Sequence, residues 1–205
     1  MSGVLQSTFM TTLDVHRREA LAGGHVKGAM VRAHLQFIRD RFGEPAVEKT
    51  LATLPAAACA EVHHLLSSSW CAFETLVLLD RAIARTAGQD ERKLMRELGR
   101  YSAEINLKTV YRAFRRDEIH DFFSRSATLH KQFQDFGDCE YEQLGPTQAR
   151  IRVRNAACFS PAYCASEIGY LEQVIAIHGG TDPRIAESTC QCAHDPFCTF
   201  DMHWH

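Results

Sequence analysis

The sequence predicts a mixed α/β fold, with a helical first part and an α/β end. Apolar residues recur at helical spacing from residue 26 to residue 136. The hydrophobic period then changes from about 3.6 to about 2 near residue 141. Six of the eight cysteines, from Cys139 onward, fall in the last third, where the period has changed.

Residues 1–25 are weakly patterned and are read as an N-terminal extension to a single domain over 26–205. Within them, Ser7 to Leu13 reads as a short strand, and Gly23-Gly24 break the chain. From Val26 to Phe42, Met30, Val31, Leu35 and Ile38 have helical spacing, and Gly43 ends the run. Short helices are predicted between Pro45 and Pro55 and from Pro55 to Leu66, with Ser67-Ser68-Ser69 a polar loop. Phe73 to Ile83 reads as a largely buried helix. Asp90 caps the next one, predicted over Glu91–Arg115. There Leu94, Leu98, Tyr101 and Ile105 make one stripe, and Leu107, Tyr111 and Phe114 an adjacent one. So wide an apolar arc predicts packing on two sides. A further helix is predicted over Asp117–Phe136, with Ile119, Phe122, Phe123, Leu129 and Phe133 inward, and Gly137 closes it.

Tyr141 to Leu144 and Ala149 to Arg154, joined by Gly145-Pro146-Thr147, read as a β-hairpin. Ile151 and Val153 alternate with Arg150, Arg152 and Arg154, which predicts one buried and one wet face. Ser160-Pro161 starts a helix, a hydroxyl cap followed by proline at the first helical position. Cys164, Ile168, Leu171 and Ile175 share a face of it, and Gly179-Gly180 end it. Pro183 to His205 reads as a second hairpin, turning through His194-Asp195-Pro196.

The chain has 205 residues and a net charge of −2, from 23 basic and 25 acidic side chains. That balance argues against bulk electrostatic binding of nucleic acid. No apolar run approaches the roughly 18–20 residues of a membrane span, and the start lacks the pattern of a secretory signal. A cytoplasmic protein is therefore expected, whose cysteines serve metal binding, packing or redox chemistry rather than a disulfide framework. Nucleophile elbows, phosphate loops, metalloprotease helices and dinucleotide fingerprints are absent from the sequence.

The strongest chemical signal is Glu187-x-x-Cys190, with Cys192 and then Cys198 across the turn. Zinc takes thiolate, imidazole and carboxylate ligands at about 2.0–2.3 Å. The arms of a hairpin bring two thiolates within that reach. Cys164, in the first turn of its helix, sits where the positive helix end favours a thiolate. One Zn²⁺ held by Cys164, Glu187, Cys190 and Cys198 is therefore expected, and four filled positions make it structural rather than catalytic. Residues three apart on a regular strand face opposite ways, so Glu187 and Cys190 need a bend or bulge between them. Cys192 could replace Cys190, and small buried hydrophobes are the alternative reading of all these thiols.

The run Glu187-Ser-Thr-Cys190-Gln-Cys192-Ala-His-Asp-Pro-Phe-Cys198-Thr-Phe200 resembles the closing motif of the 4-vinyl reductase-type domain. That domain belongs to the nitric-oxide-signalling/Golgi-transport ligand-binding superfamily. Val26-Lys-Gly-Ala-Met30, Gly99-Arg-Tyr-Ser-Ala103, Phe133-Gln-Asp-Phe-Gly137 and Ser160-Pro-Ala-Tyr-Cys164 are similar to an uncharacterised set of myxobacterial proteins. The resemblance implies a helical layer on a short antiparallel sheet, a homodimer, an apolar pocket, and a zinc tying the last hairpin to the preceding helix. The same zinc ligands follow from it: Cys164 upstream of Glu187, Cys190 and Cys198.

Tyr101, Tyr111, Phe122, Phe123 and Phe133 are candidates to line that pocket, with Ser102 and Asn106 as polar contacts; core packing is the alternative for each. His120 and His130 are weighed as haem ligands, but no haem-attachment motif is present. The function expected is a zinc-stabilised sensory or regulatory domain rather than an enzyme. It would bind a small hydrophobic or aromatic molecule, or a lipid, and signal through a dimer or protein-partner surface. A ligand-free interaction adaptor of the same fold and a tetrapyrrole-related enzyme are the alternatives.

Overall fold

The computed structural model describes residues 18–108 and 118–205. The strand expected at Ser7 to Leu13, and Tyr111, Phe114, Arg112, Arg115 and Arg116, lie outside the described residues.

The helical part begins with a short strand, β1 (His25–Lys27), followed by α1 (Gly28–Phe42), α2 (Glu44–Ala52) and α3 (Ala56–His64). A second short strand, β2 (Trp70–Ala72), leads into α4 (Phe73–Ala87) and then α5 (Glu91–Lys108). β1 and β2 pair antiparallel, with Val26 opposite Cys71. This pairing moves the start of α1 from Val26 to Gly28. Asp90 accepts from the Lys93 N–H at 2.8 Å, so α5 is capped as its sequence predicts. Residues 18–24 lie against the body of the chain: Ala20 pairs with Phe159, and the Arg18 N–H donates to the Cys192 carbonyl.

The helix expected over Asp117–Phe136 is two helices, α6 (Ile119–Phe123) and α7 (Ser126–Phe133). The break falls at Ser124, whose hydroxyl donates to the Asp121 carbonyl at 2.9 Å. Local hydroxyl-to-backbone bonds of this kind compete with the helical ladder.

Strands β3 (Asp138–Gly145) and β4 (Gln148–Arg154) form the predicted hairpin. Helix α8 (Pro161–Ile177) starts with the Tyr163 N–H donating to the Ser160 hydroxyl at 3.1 Å. The last hairpin is β5 (Arg184–Thr189) and β6 (Cys198–His203), giving one antiparallel sheet of order β3-β4-β6-β5. Ala149 and Ile151 are buried on its inner face. On the outer face Arg150, Arg152 and Arg154 pair with Asp201, Glu142 and Glu140. The fold is therefore α+β, a helical layer on a small antiparallel sheet, as the sequence predicts.

Two apolar cores result. One lies among the N-terminal helices, around Phe37, Phe73, Leu76, Ile83 and Leu98. The other lies between helices and sheet, around Leu107, Phe123, Ile168, Leu171, Phe200 and Met202. Helices α5 and α8 meet backbone to backbone between them. A Cβ on Gly169 would stand 1.9 Å from the Arg96 carbonyl oxygen, and one on Gly99 1.9 Å from that of Ser166. Beside this contact Glu172, 4% exposed, takes both Arg96 and Arg100. No described helix is long and apolar enough to cross a membrane.

Candidate functional site

The second core is not filled. A cavity of about 120 Å³ lies between the helices and the inner face of the sheet. Phe122, Phe123 and Phe133 line it from α6 and α7, Ile151 and Phe200 from the sheet, and Tyr163, Glu167 and Tyr170 from α8. Ser102 and Asn106 line it from α5. An apolar chamber of roughly 150 Å³ in a protein interior takes up benzene, so this one has room for a single ring.

Polar groups also line it, among them His34, Ser102, Asn106, Ser126 and Gln191. The Ser102 hydroxyl is buried and has no hydrogen-bond partner among the described residues. The Tyr163 hydroxyl donates to Gln134, whose amide donates to His130 Nδ1. Burial lowers the His130 pKa, and its Nε2 meets the Phe136 carbonyl at 2.9 Å. Glu167 stands apart. No hydrogen bond or ion pair from the described residues reaches it, and burial pushes its carboxyl up to about 7. Glu167 is half-buried and is one of the residues that line the cavity.

A stability consequence follows. With a native pKa of about 7 against an ordinary 4.5, the folded protein holds this proton where the unfolded chain has lost it. Stability from this group is full at low pH, declines as pH rises above 4.5, and is gone above about 7. The loss integrates to about 3 kcal/mol. Glu167→Gln is therefore expected to melt progressively higher than the parent as pH rises from about 4.5 to about 8, read by thermal melts across that range. A constant gap would contradict it.

Beside the cavity the expected ligand set converges. Cys164, Glu187, Cys190 and Cys198 each place one donor atom within 4.8 Å of the others. Cys164 comes from the first turn of α8 and is buried, as are Cys190 and Cys198. The pairing of β5 with β6 shifts register between Glu187 and Thr189. This irregularity supplies the bend that a three-residue spacing requires. Cys192 lies next to the group, in a 3₁₀ turn at Gln191–Ala193, and is fully buried. The Cys164 and Cys190 sulfurs are 3.8 Å apart. Cys164, hydrogen-bonded to Cys190, is held well above the ordinary thiol value, while hydrogen bonds from Cys164, Cys192 and Cys198 hold Cys190 below it. The local electrostatics favour negative charge on Cys190.

Of the aromatic candidates, Phe122, Phe123 and Phe133 line the cavity, as do Ser102 and Asn106. Tyr101 does not; it lies in a surface groove between α1 and α5, where its hydroxyl donates to Asp40 at 2.5 Å. Glu167, Tyr163 and Gln134 were not legible as site residues. The available signal was a lone acid in the otherwise apolar first half of α8.

No family model matches the chain. No curated protein sequence matches it. Solved structures do share its fold. The H-NOX protein from S. oneidensis in the Fe(II)NO ligation state is 13% identical with a TM-score of 0.69, covering 87% of this chain and 99% of that one. An oxygen-binding H-NOX domain related to soluble guanylate cyclases, in its oxygen complex, is 12% identical with a TM-score of 0.64, covering 87% and 94%. A structure described by modulation of haem redox potential through porphyrin distortion gives 12%, 0.64, 87% and 98%. The likeness is one of fold; it does not reach the 4-vinyl reductase-type domain or the myxobacterial set.

These structures correct the cofactor expectation. The prosthetic chemistry described for proteins of this fold is haem and its iron, not a structural Zn²⁺. Haem itself does not fit the residues present here. A cavity of about 120 Å³ is on the scale of the roughly 150 Å³ chamber that takes one benzene, far short of a tetrapyrrole. Both His130 ring nitrogens already meet protein partners, Nε2 the Phe136 carbonyl and Nδ1 the Gln134 amide. Among the described residues that line the cavity there is no arginine or lysine for haem's carboxylates, and Glu167 faces the space instead. At these identities, what the chain shares with the H-NOX structures is the H-NOX fold.

Proposed function

We propose that this chain is a sensory ligand-binding domain, not an enzyme, and that its ligand is a small hydrophobic or aromatic molecule. One observation carries the reading: a single-ring cavity between helices and sheet, lined by Phe122, Phe123 and Phe133 and by a Ser102 hydroxyl without a partner among the described residues. The ligand complexes described for proteins of the same fold support it. A ligand shifts only those states that it binds differently. Here it packs against α5 and α8 together, so binding biases how these helices sit, and a second copy or a protein partner reads the change. Calorimetry with toluene tests this. Binding is expected in the parent protein, with loss of about tenfold or more in Ser102→Leu, which fills the cavity while keeping an apolar wall. No binding of toluene, or equal binding by the filled variant, would sink the reading.

Cys164, Glu187, Cys190 and Cys198 belong to the same proposal as a metal-ligand set, with no ion assigned. Their convergence at the wall of the cavity supports it. Elemental analysis by mass spectrometry is expected to find bound metal in the parent protein and markedly less in Cys198→Ser. Equal content in both would remove these residues from the role.

A further inference from the structure

Helix α8 carries two enclosed acids, and the protein treats them differently. Glu172 is answered by Arg96 and Arg100. Glu167, five residues earlier, faces the cavity with no donor from the described residues. A carboxylate taken out of water needs either a proton or a cation. Among the described residues that line the space there is no arginine or lysine. The Tyr163 hydroxyl, one turn earlier on the helix, is committed to Gln134. Tyr163, Tyr170, Phe133 and Phe136 are among the residues that line the same cavity. Aromatic faces attract organic cations, more strongly when water is excluded.

We infer that the cavity selects a small amine, bound as its ammonium ion, with its N–H groups on Glu167 and its apolar body among the aromatic rings. This rests on the ligand-binding reading above and names the chemical class of that ligand. At about 120 Å³, the body is one ring or a short branched chain. The titration of Glu167 near neutrality agrees: a carboxyl poised at about 7 is settled as carboxylate when a cation arrives beside it.

Calorimetry on the full chain with benzylamine, toluene and benzyl alcohol tests this, in the parent and in Glu167→Gln. Benzylamine is expected to bind at least about tenfold tighter than either neutral probe, the scale of a hydrogen-bonded charge pair. Glu167→Gln is expected to lose that preference while keeping toluene. The variant is expected to fold, since it removes an unpartnered acid, and its melting curve checks this. If toluene or benzyl alcohol binds as tightly as benzylamine, or if the variant keeps its preference for the amine, the inference falls while the cavity reading stands. If no probe binds the parent, both fall together.

Discussion

Gly169→Ala is expected to lower the melting temperature by about 6–12 °C, the equivalent of roughly 3 kcal/mol in a chain of this size. The added methyl would stand 1.9 Å from the Arg96 carbonyl oxygen and 2.7 Å from its carbon. Both are backbone atoms of a helix, so no side chain can swing aside. The two helices must separate, and the Arg96 and Arg100 contacts to Glu172 must stretch with them. Gly145→Ala is the control. Its nearest neighbour would be the Gln148 side chain at 3.7 Å, and its melting point is expected to change little. The effect extends to function, because α5 brings Ser102 and Asn106 to the cavity and α8 brings Glu167. If Gly169→Ala melts like the parent, α5 and α8 are not in backbone contact in solution.

His34→Phe is expected to cost about 3–5 kcal/mol. His34 Nδ1 lies 2.6 Å from Asp80 Oδ1, joining α1 to α4, and the two side chains are 2% and 0% exposed. The second Asp80 oxygen already lacks a partner among the described residues. Removing the imidazole leaves an acid in an apolar core with nothing to meet it. The double variant His34→Phe/Asp80→Leu is expected to recover much of the loss, since replacing both members of a buried pair by apolar residues is often neutral or better. Chemical denaturation of the three proteins checks this. A double variant no more stable than His34→Phe would place the loss in packing rather than in the stranded carboxyl.

How much was legible in the chain varies with the range of the interaction. The hairpin of β3 and β4 was written in the alternation of Ile151 and Val153 with three arginines. The start of α8 was written in Ser160-Pro161, and the cap of α5 in Asp90. The strands β1 and β2 were not legible, because three residues are too few to show a period of two. The break between α6 and α7 was hidden because Ile119, Phe122, Phe123, Leu129 and Phe133 keep an inward pattern across it. The converging Cys164, Glu187, Cys190 and Cys198 were legible as a group from their spacing, but the structural Zn²⁺ expected there did not hold.

By itself the sequence determined the local elements, the change from helix to sheet, and the grouping of one glutamate with three cysteines. Propensity, capping and period act within a few residues, so neighbouring letters suffice to read them. Only the tertiary structure decided that Glu172 is answered and that no described residue answers Glu167. Both are single acids on one apolar helix, and their difference lies in which side of α8 meets α5 and which meets an unfilled space. Burial and pairing are made by elements distant in the chain, and they separate a structural acid from one that faces a ligand.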